Sequence, residues 1–222
     1  MSPLPSMRED GALAAEITAQ LQTIDSIYES LPSGYQSKKP ERDLLTRASG
    51  VDGATYGEIH PLGSARMLRW LHLKSSDRFL DLGSGTGRLP LQAAVTTSVG
   101  HAIGVELCPI RHQIACDAKR LYQSQLSPSS RAALDARLLL TQENLLTCDL
   151  SEASVVFLGA TCFPSTLVAQ VANRLAHSEK LRYFLSTKSL PPYQRSLLRE
   201  CGSMFLPMSW APRVRVFVYT PR

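Results

Sequence analysis

Apolar residues recur at three- and four-residue steps from about Glu9 to Leu31, with Leu13, Ile17, Leu21, Ile24, Tyr28 and Leu31 on one helical face. Pro32-Ser33-Gly34 ends the pattern, and a polar, basic connector is expected to run to about Asp52-Gly53. Pro61 can open a second helix carrying Leu62, Ala65, Leu68 and Leu71 on one side. The period then shortens. Arg78 to Leu82, His101 to Glu106, Arg137 to Leu140, Ser154 to Leu158 and Leu181 to Thr187 have the length and composition of strands. The fourth is almost wholly apolar, as expected for a parallel strand buried on both faces. Helices are expected between them, from Pro90 in a first turn through Val95, over Pro109 to Tyr122, and over Ser165 to Ala176. In the second of these, Ile110, Ile114, Ala118 and Leu121 should face inward, and Ser127-Pro128-Ser129-Ser130 should break the chain after it. Met204 to Trp210 is β-prone and Arg213 to Tyr219 begins in strict alternation, so the two predict an antiparallel pair at one sheet edge, with Ala211-Pro212 between them. Alternating strands and helices closed by such a pair imply an α/β, doubly wound sheet with helices on both faces.

Composition adds limits. A chain of 222 residues suits one domain, with residues 1–53 as a helical and basic N-terminal appendage and residues 54–222 as the core. Its apolar fraction of 44% and charged fraction of 19% are those of a soluble globular protein. No run approaches a membrane-spanning length, and the N-terminus lacks a basic-then-apolar signal pattern, so no membrane association is expected. Cys108, Cys116, Cys148, Cys162 and Cys201 are scattered, odd in number and form no C-x-x-C pair, which suits a reducing compartment. The histidines are equally dispersed, and no metal site is expected. A net charge of +5 is compatible with a nucleic-acid or chromatin partner without requiring one. The basic run Lys38-Lys39-Pro40-Glu41-Arg42 reads either as a solvated linker or as a weak DNA contact; Arg213, Arg215 and Arg222 form a second cluster.

The candidate chemistry lies in Phe79-Leu80-Asp81-Leu82-Gly83-Ser84-Gly85-Thr86-Gly87-Arg88. An apolar strand ends in a tight glycine turn and a helix N-terminus, where bare backbone N–H groups can face a ligand. A dinucleotide fingerprint needs G-x-G-x-x-G, but the glycines here alternate and Arg88 stands at the third dinucleotide position. Glu106 ends the next strand, about 20 residues on, where a carboxylate can accept both ribose hydroxyls of an adenosine. Asp81 within the first strand, the alternating glycines and Glu106 resemble motif I and the following acid of class I S-adenosylmethionine-dependent methyltransferases. The expected fold is that class's seven-stranded, Rossmann-like sheet.

Thr55-Tyr56-Gly57-Glu58, taken with the glycine motif, Leu91-Gln92-Ala93-Ala94, Gly104-Val105-Glu106 and Ser209-Trp210, resembles the disruptor-of-telomeric-silencing family of non-SET histone lysine methyltransferases, over about Thr55 to Tyr219. The resemblance implies S-adenosylmethionine as cofactor, a lysine of the nucleosomal histone core as acceptor, and a nuclear location. It assigns Asp81 to the methionine end, Gly83, Ser84, Gly85 and Gly87 to close backbone approach, and Glu106 to the ribose. Thr55, Tyr56, Gly57 and Glu58 would close over the methionine end, although Tyr56 could equally be a packed core aromatic. Leu107 would pack on the adenine face. Asn144, followed by Leu145, stands where the family carries an aspartate for the adenine amine, and its amide oxygen can accept the same bond. Gly159 stands where the family carries an asparagine beside the transferring methyl, so that either Thr161 and backbone carbonyls line that point or the acceptor geometry differs. Phe217 corresponds to an aromatic of the family's lysine channel, and Phe163 and Trp210 could join it or be core aromatics. Two other readings stay open: a methyltransferase of this fold acting on a non-histone protein, and a catalytically silent cofactor-binding subunit.

Overall fold

The computed structural model describes residues 15–192, 194 and 197–222. Seven strands form one sheet: β1 (Arg78–Leu82), β2 (His101–Glu106), β3 (Leu138–Gln142), β4 (Val155–Leu158), β5 (Tyr183–Ser186), β6 (Leu198–Met208) and β7 (Ala211–Pro221). Their order is β3-β2-β1-β4-β5-β7-β6. Strands β1 to β5 pair in parallel, and β7 inserts antiparallel between β5 and β6. The order reverses between β1 and β4, which opens a crevice beyond their carboxyl ends.

Side chains alternate across this sheet because successive residues of a strand point to opposite faces. Phe79, Val155 and Phe157 face a layer built from α1 (Ala15–Glu29), α3 (Pro61–Leu71), α4 (Arg88–Thr96), α5 (Pro109–Ser124) and α6 (Pro128–Arg137). Leu80, Leu82, Val156 and Leu158 face α7 (Ser165–Leu175). Helices thus cover both faces, and β4 is buried along its whole length. Helix α1 belongs to this core: Ile24 and Ile27 lie in it, each burial being worth roughly 2 kcal/mol.

Several expected elements differ. The first helix is described from Ala15, so its expected start at Glu9, and Leu13, lie outside the described residues. Instead of a connector over 32–53, the chain forms α2 (Lys39–Ser49) and a 3-10 turn (Val51–Ala54). Pro40 occupies the first turn of α2, where no N–H is needed, and the buried pair Leu45 and Ser49 makes a stripe too short to stand out among charged neighbours. The serine-rich break is a helix start: Ser127 Oγ accepts from Ser130 N at 3.3 Å and caps α6, which takes in Arg137. Leu62 is 49% exposed because α3 turns Ala65, Met67, Leu68 and Leu71 inward, and Leu121 is 40% exposed because the inward face of α5 is rotated to Ile114, Ala115, Ala118 and Tyr122. Strand β6 starts at Leu198, and the turn to β7 is Ser209-Trp210, with Ala211 and Pro212 already in the strand.

Candidate active site

The end of β1 turns back at once. Gly83 N and Ser84 N both donate to Val105 O, at 2.8 and 3.0 Å, which ties the glycine turn to the neighbouring strand β2. Gly83, Gly85 and Gly87 all have positive φ, at 79°, 56° and 77°. At Gly85 space also decides: a Cβ would lie 2.5 Å from the Tyr56 ring. Gly87, expected to face the ligand, lines neither cavity described below. A Cβ there would strike Ala115 at 2.6 Å, so its work is to start α4 close against α5.

Glu106 closes β2 with its carboxylate held from both sides. Gly85 N donates to Oε2 at 2.8 Å and Cys108 N donates to Oε1 at 2.7 Å. Asp81 is buried, and no basic side chain pairs with it among the described residues. Burial first, then Glu106 and Glu58, push its carboxyl up to about 8.

The Tyr56-Gly57-Glu58 loop covers this turn. Tyr56 Oη donates to Glu58 and accepts from Thr86 N at 3.0 Å, while Thr86 Oγ1 donates to Glu58 Oε1 at 2.6 Å. Burial, followed by the Glu58 charge, raises the Tyr56 phenol well above its usual value, so it remains a donor. Glu58 Oε2 is 3.8 Å from Arg88 Nε, and Arg88 pairs with Asp25 and lies 4.3 Å over the Tyr28 ring. Tyr28 Oη donates to Thr86 O at 2.8 Å, which brings α1 to the site. The loop is fixed to the β6–β7 turn by Ser209 N to Glu58 O at 2.8 Å and Glu58 N to Ser209 Oγ at 3.0 Å. Gly57 must be glycine here, since a Cβ would lie 2.3 Å from the Trp210 ring.

Two adjoining cavities open over the carboxyl ends of β1, β2 and β4. The larger, about 300 Å³, is lined by Thr55, Glu106, Leu107, Asn144, Leu145, Thr161 and Phe163, among others. The smaller holds Glu58, Asp81, Ser84 and Gly85. Tyr56, Gly57, Gly83, Gly159 and Trp210 line both, so Asp81 and Glu106 are reached from a shared space. Asn144 Oδ1 accepts from Leu146 N at 2.9 Å, which fixes the amide and leaves one oxygen lone pair for a ligand. Thr161 Oγ1 donates to Thr187 Oγ1 at 3.0 Å, and Thr187 lines the smaller cavity. Phe217 lines neither cavity. It shares the sheet face of Tyr219, stacks on that ring at 6.5 Å and lies under Arg215 at 4.5 Å, so two-residue alternation turns it toward the α7 layer. Phe163 and Trp210 do reach the cavity. Sequence reasoning passed over Arg111, Tyr28, Tyr35 and the loop-fixing role of Ser209, all of which act through contacts distant in sequence.

The chemistry of this arrangement is specific. Glu106 can accept from a diol, Leu107 and Leu145 offer an apolar surface to a flat group, and Asp81 presents a buried carboxyl to the smaller cavity. With the sheet order and the glycine turn, these features define the class I methyltransferase fold. Solved structures share that fold: an RNA methyltransferase from Salinibacter ruber in complex with S-adenosyl-L-homocysteine, at TM-score 0.52 and 22% identity over 71% of this chain and 89% of that one, and the methyltransferase domain of bacterial CtHen1-CN, at TM-score 0.50 and 14% identity over 70% and 94%. The chain belongs to the family described as histone methylation protein DOT1, which matches residues 36–205. Curated relatives include the H3 lysine-79-specific histone-lysine N-methyltransferases of Aspergillus fumigatus, 27% identical over 84% of this chain, and Emericella nidulans, 26% identical over 84%. The chain spans 38% of the length of each, and 15% of a Caenorhabditis elegans relative of the same name that is 24% identical over 62% of this chain.

Proposed function

We propose that this chain transfers a methyl group from S-adenosylmethionine to a lysine of the nucleosomal histone core. The observation that carries the reading is the pair Asp81 and Glu106, set on either side of one glycine turn in adjoining cavities. The residues fit that cofactor. A buried carboxyl without a basic partner suits the ammonium of the methionine end, and a carboxylate pinned by two backbone N–H groups suits the ribose diol. Asn144 suits the adenine amine, beside Leu107 and Leu145.

When bound, the cofactor supplies an electrophilic methyl on a good leaving group. The chain's task is then alignment and water exclusion, and proximity can supply much of the acceleration. Tyr56, Gly57 and Glu58 cover the methionine end, and Gly83, Ser84 and Gly85 allow close approach. The Gly159 carbonyl and the Thr161 hydroxyl receive the acceptor amine. Phe163 and Trp210 desolvate it, which lowers an ammonium's pKa so that it can arrive neutral without a dedicated base. Residues 54–222 carry most of this chemistry, and the described part of the preceding segment completes it, with α1 packed into the core and Leu45 and Ser49 lining the larger cavity. The basic run from Lys38 to Arg42 gives weak DNA contact, and the chromatin substrate implies a nuclear location.

The test is transfer of radiolabelled methyl from S-adenosylmethionine to intact nucleosomes, free histones and total cell protein. Label on a histone lysine within nucleosomes is the expected result. Label only on other proteins, or cofactor binding without transfer, would overturn it.

A further inference from the structure

Arg111 is the largest charged side chain buried in the larger cavity, and none of the roles above uses it. It projects from the first turn of α5, just after Glu106, and is 4% exposed. Its guanidinium does three things at once. Nε donates to Gly34 O at 3.1 Å, Nη2 donates to Ala54 O at 3.1 Å, and Cζ lies over the Tyr56 ring, 4.2 Å from its centroid. The two carbonyls are 20 residues apart in sequence and bracket α2, so one side chain gathers both ends of the 34–54 segment.

That segment also presses on Tyr56 directly. A Cβ on Gly34 would lie 2.6 Å from both the Tyr56 ring and Thr86 Cγ2, so the backbone passes against the ring. Tyr35 meets the same ring edge-on at 5.1 Å, and its hydroxyl donates to Ser209 Oγ at 2.7 Å. Tyr56 is therefore held by Arg111, Tyr35 and the Gly34 backbone, and it passes that constraint to Thr86 N and Glu58. Leu45 and Ser49 of α2 line the larger cavity from the segment so gathered.

We propose that Arg111 is a positioning residue that sets cofactor affinity by clamping the 34–54 segment across Tyr56, with the Tyr35–Ser209 bond as its second fastening. Planarity matters: a guanidinium can serve two divergent carbonyls and stack on a ring together, which an ammonium cannot. The proposal rests on the cofactor reading above and concerns its release, not the acceptor.

The test compares Arg111→Gln, Arg111→Lys and Tyr35→Phe with the unaltered chain, using S-adenosylhomocysteine as the probe. Losing a charge-assisted pair of bonds should weaken binding roughly ten- to hundredfold in Arg111→Gln, mainly through faster dissociation, with Arg111→Lys intermediate. The KM for S-adenosylmethionine should rise by more than kcat falls, and the KM for nucleosomes should stay constant. Hydrogen exchange at Thr86 N should quicken, because that amide reports the Tyr56 hydroxyl. Tyr35 is 56% exposed, so Tyr35→Phe keeps the fold and should speed release in the same direction. If Arg111→Gln fails to melt cooperatively, Tyr35→Phe decides. Release of S-adenosylhomocysteine at the unaltered rate from that variant overturns the clamp, whereas failure of the unaltered chain to bind the compound overturns the cofactor reading beneath it.

Discussion

The role proposed for Asp81 predicts that cofactor affinity depends on pH, in a direction that can be worked out. Its carboxyl, raised to about 8 by burial and by Glu106 and Glu58, is mostly protonated at neutral pH. An incoming ammonium needs the carboxylate, so binding must expel that proton. With a pKa of about 8, the ionised share is about one in a hundred at pH 6 and about one in eleven at pH 7. Affinity should therefore rise close to tenfold over that interval, equivalent to about 1.4 kcal/mol. Above about pH 8 the ligand's own α-amino group loses its proton, and the gain should reverse. No histidine lines either cavity among the described residues, so no other ordinary titration near neutrality supplies this slope. Calorimetry of S-adenosylhomocysteine binding at pH 6, 6.5 and 7, in buffers of different ionisation enthalpy, should show about one proton released per site. Asp81→Asn should bind more weakly at pH 8 and lose both the slope and the proton release. A flat affinity between pH 6 and pH 7, or an unchanged slope in Asp81→Asn, would refute the assignment.

The same carboxyl bears on stability. Because its folded pKa lies above the unfolded value, the ligand-free fold loses stability as pH rises from about 4 through about 8, so Asp81→Asn should melt higher than the unaltered chain at pH 8.5 and close to it at pH 4. Gly57→Ala drives a methyl into Trp210, 2.3 Å away, at a cost of about 1–3 kcal/mol; about tenfold weaker S-adenosylhomocysteine binding and a shifted tryptophan emission are expected, and unaltered emission would contradict the contact. At Gly159 a Cβ would meet only Phe157, at 3.8 Å, so Gly159→Asn should keep its Tm within about 3 °C and raise transfer to nucleosomes. A large drop in Tm would show that the space is not free. Ile24→Ala should lose about 2–5 kcal/mol in urea unfolding, because Ile24 is 1% exposed in the core; a loss under about 1 kcal/mol would mean that α1 is not integral to it.

The central strands were legible because burial on both faces forces nearly continuous apolar runs, as in Ser154 to Leu158, and because glycine spacing marks the turn after β1. Asp81, Glu106 and the Tyr56 loop were singled out by short motifs and by the family resemblance, and the folded chain brings them to two adjoining cavities. Helix α2 was hidden since its apolar stripe is only Leu45 and Ser49 among charged residues. Leu62 and Leu121 fit the helical period yet point to water, because period alone does not fix which flank of a stripe meets the core. Phe217 shows the same limit in a strand, where an aromatic assigned from the family resemblance faces the α7 layer. Arg111 gave no signal at all. Its meaning lies in carbonyls of Gly34 and Ala54, more than fifty positions away, which only the folded chain brings to it.

The insertion of β7 between β5 and β6 has a consequence for synthesis. Strand β6 leaves the ribosome first but can join the sheet only through β7, which follows it. A nascent chain that has emerged only as far as residue 197 already holds the glycine turn and both acids, yet lacks Ser209 to fasten the Tyr56 loop and Trp210 to wall it. The cover over the methionine end is thus added after the glycine turn and both acids are in place, and translation arrest ahead of the β6–β7 hairpin should leave an open, unsealed crevice.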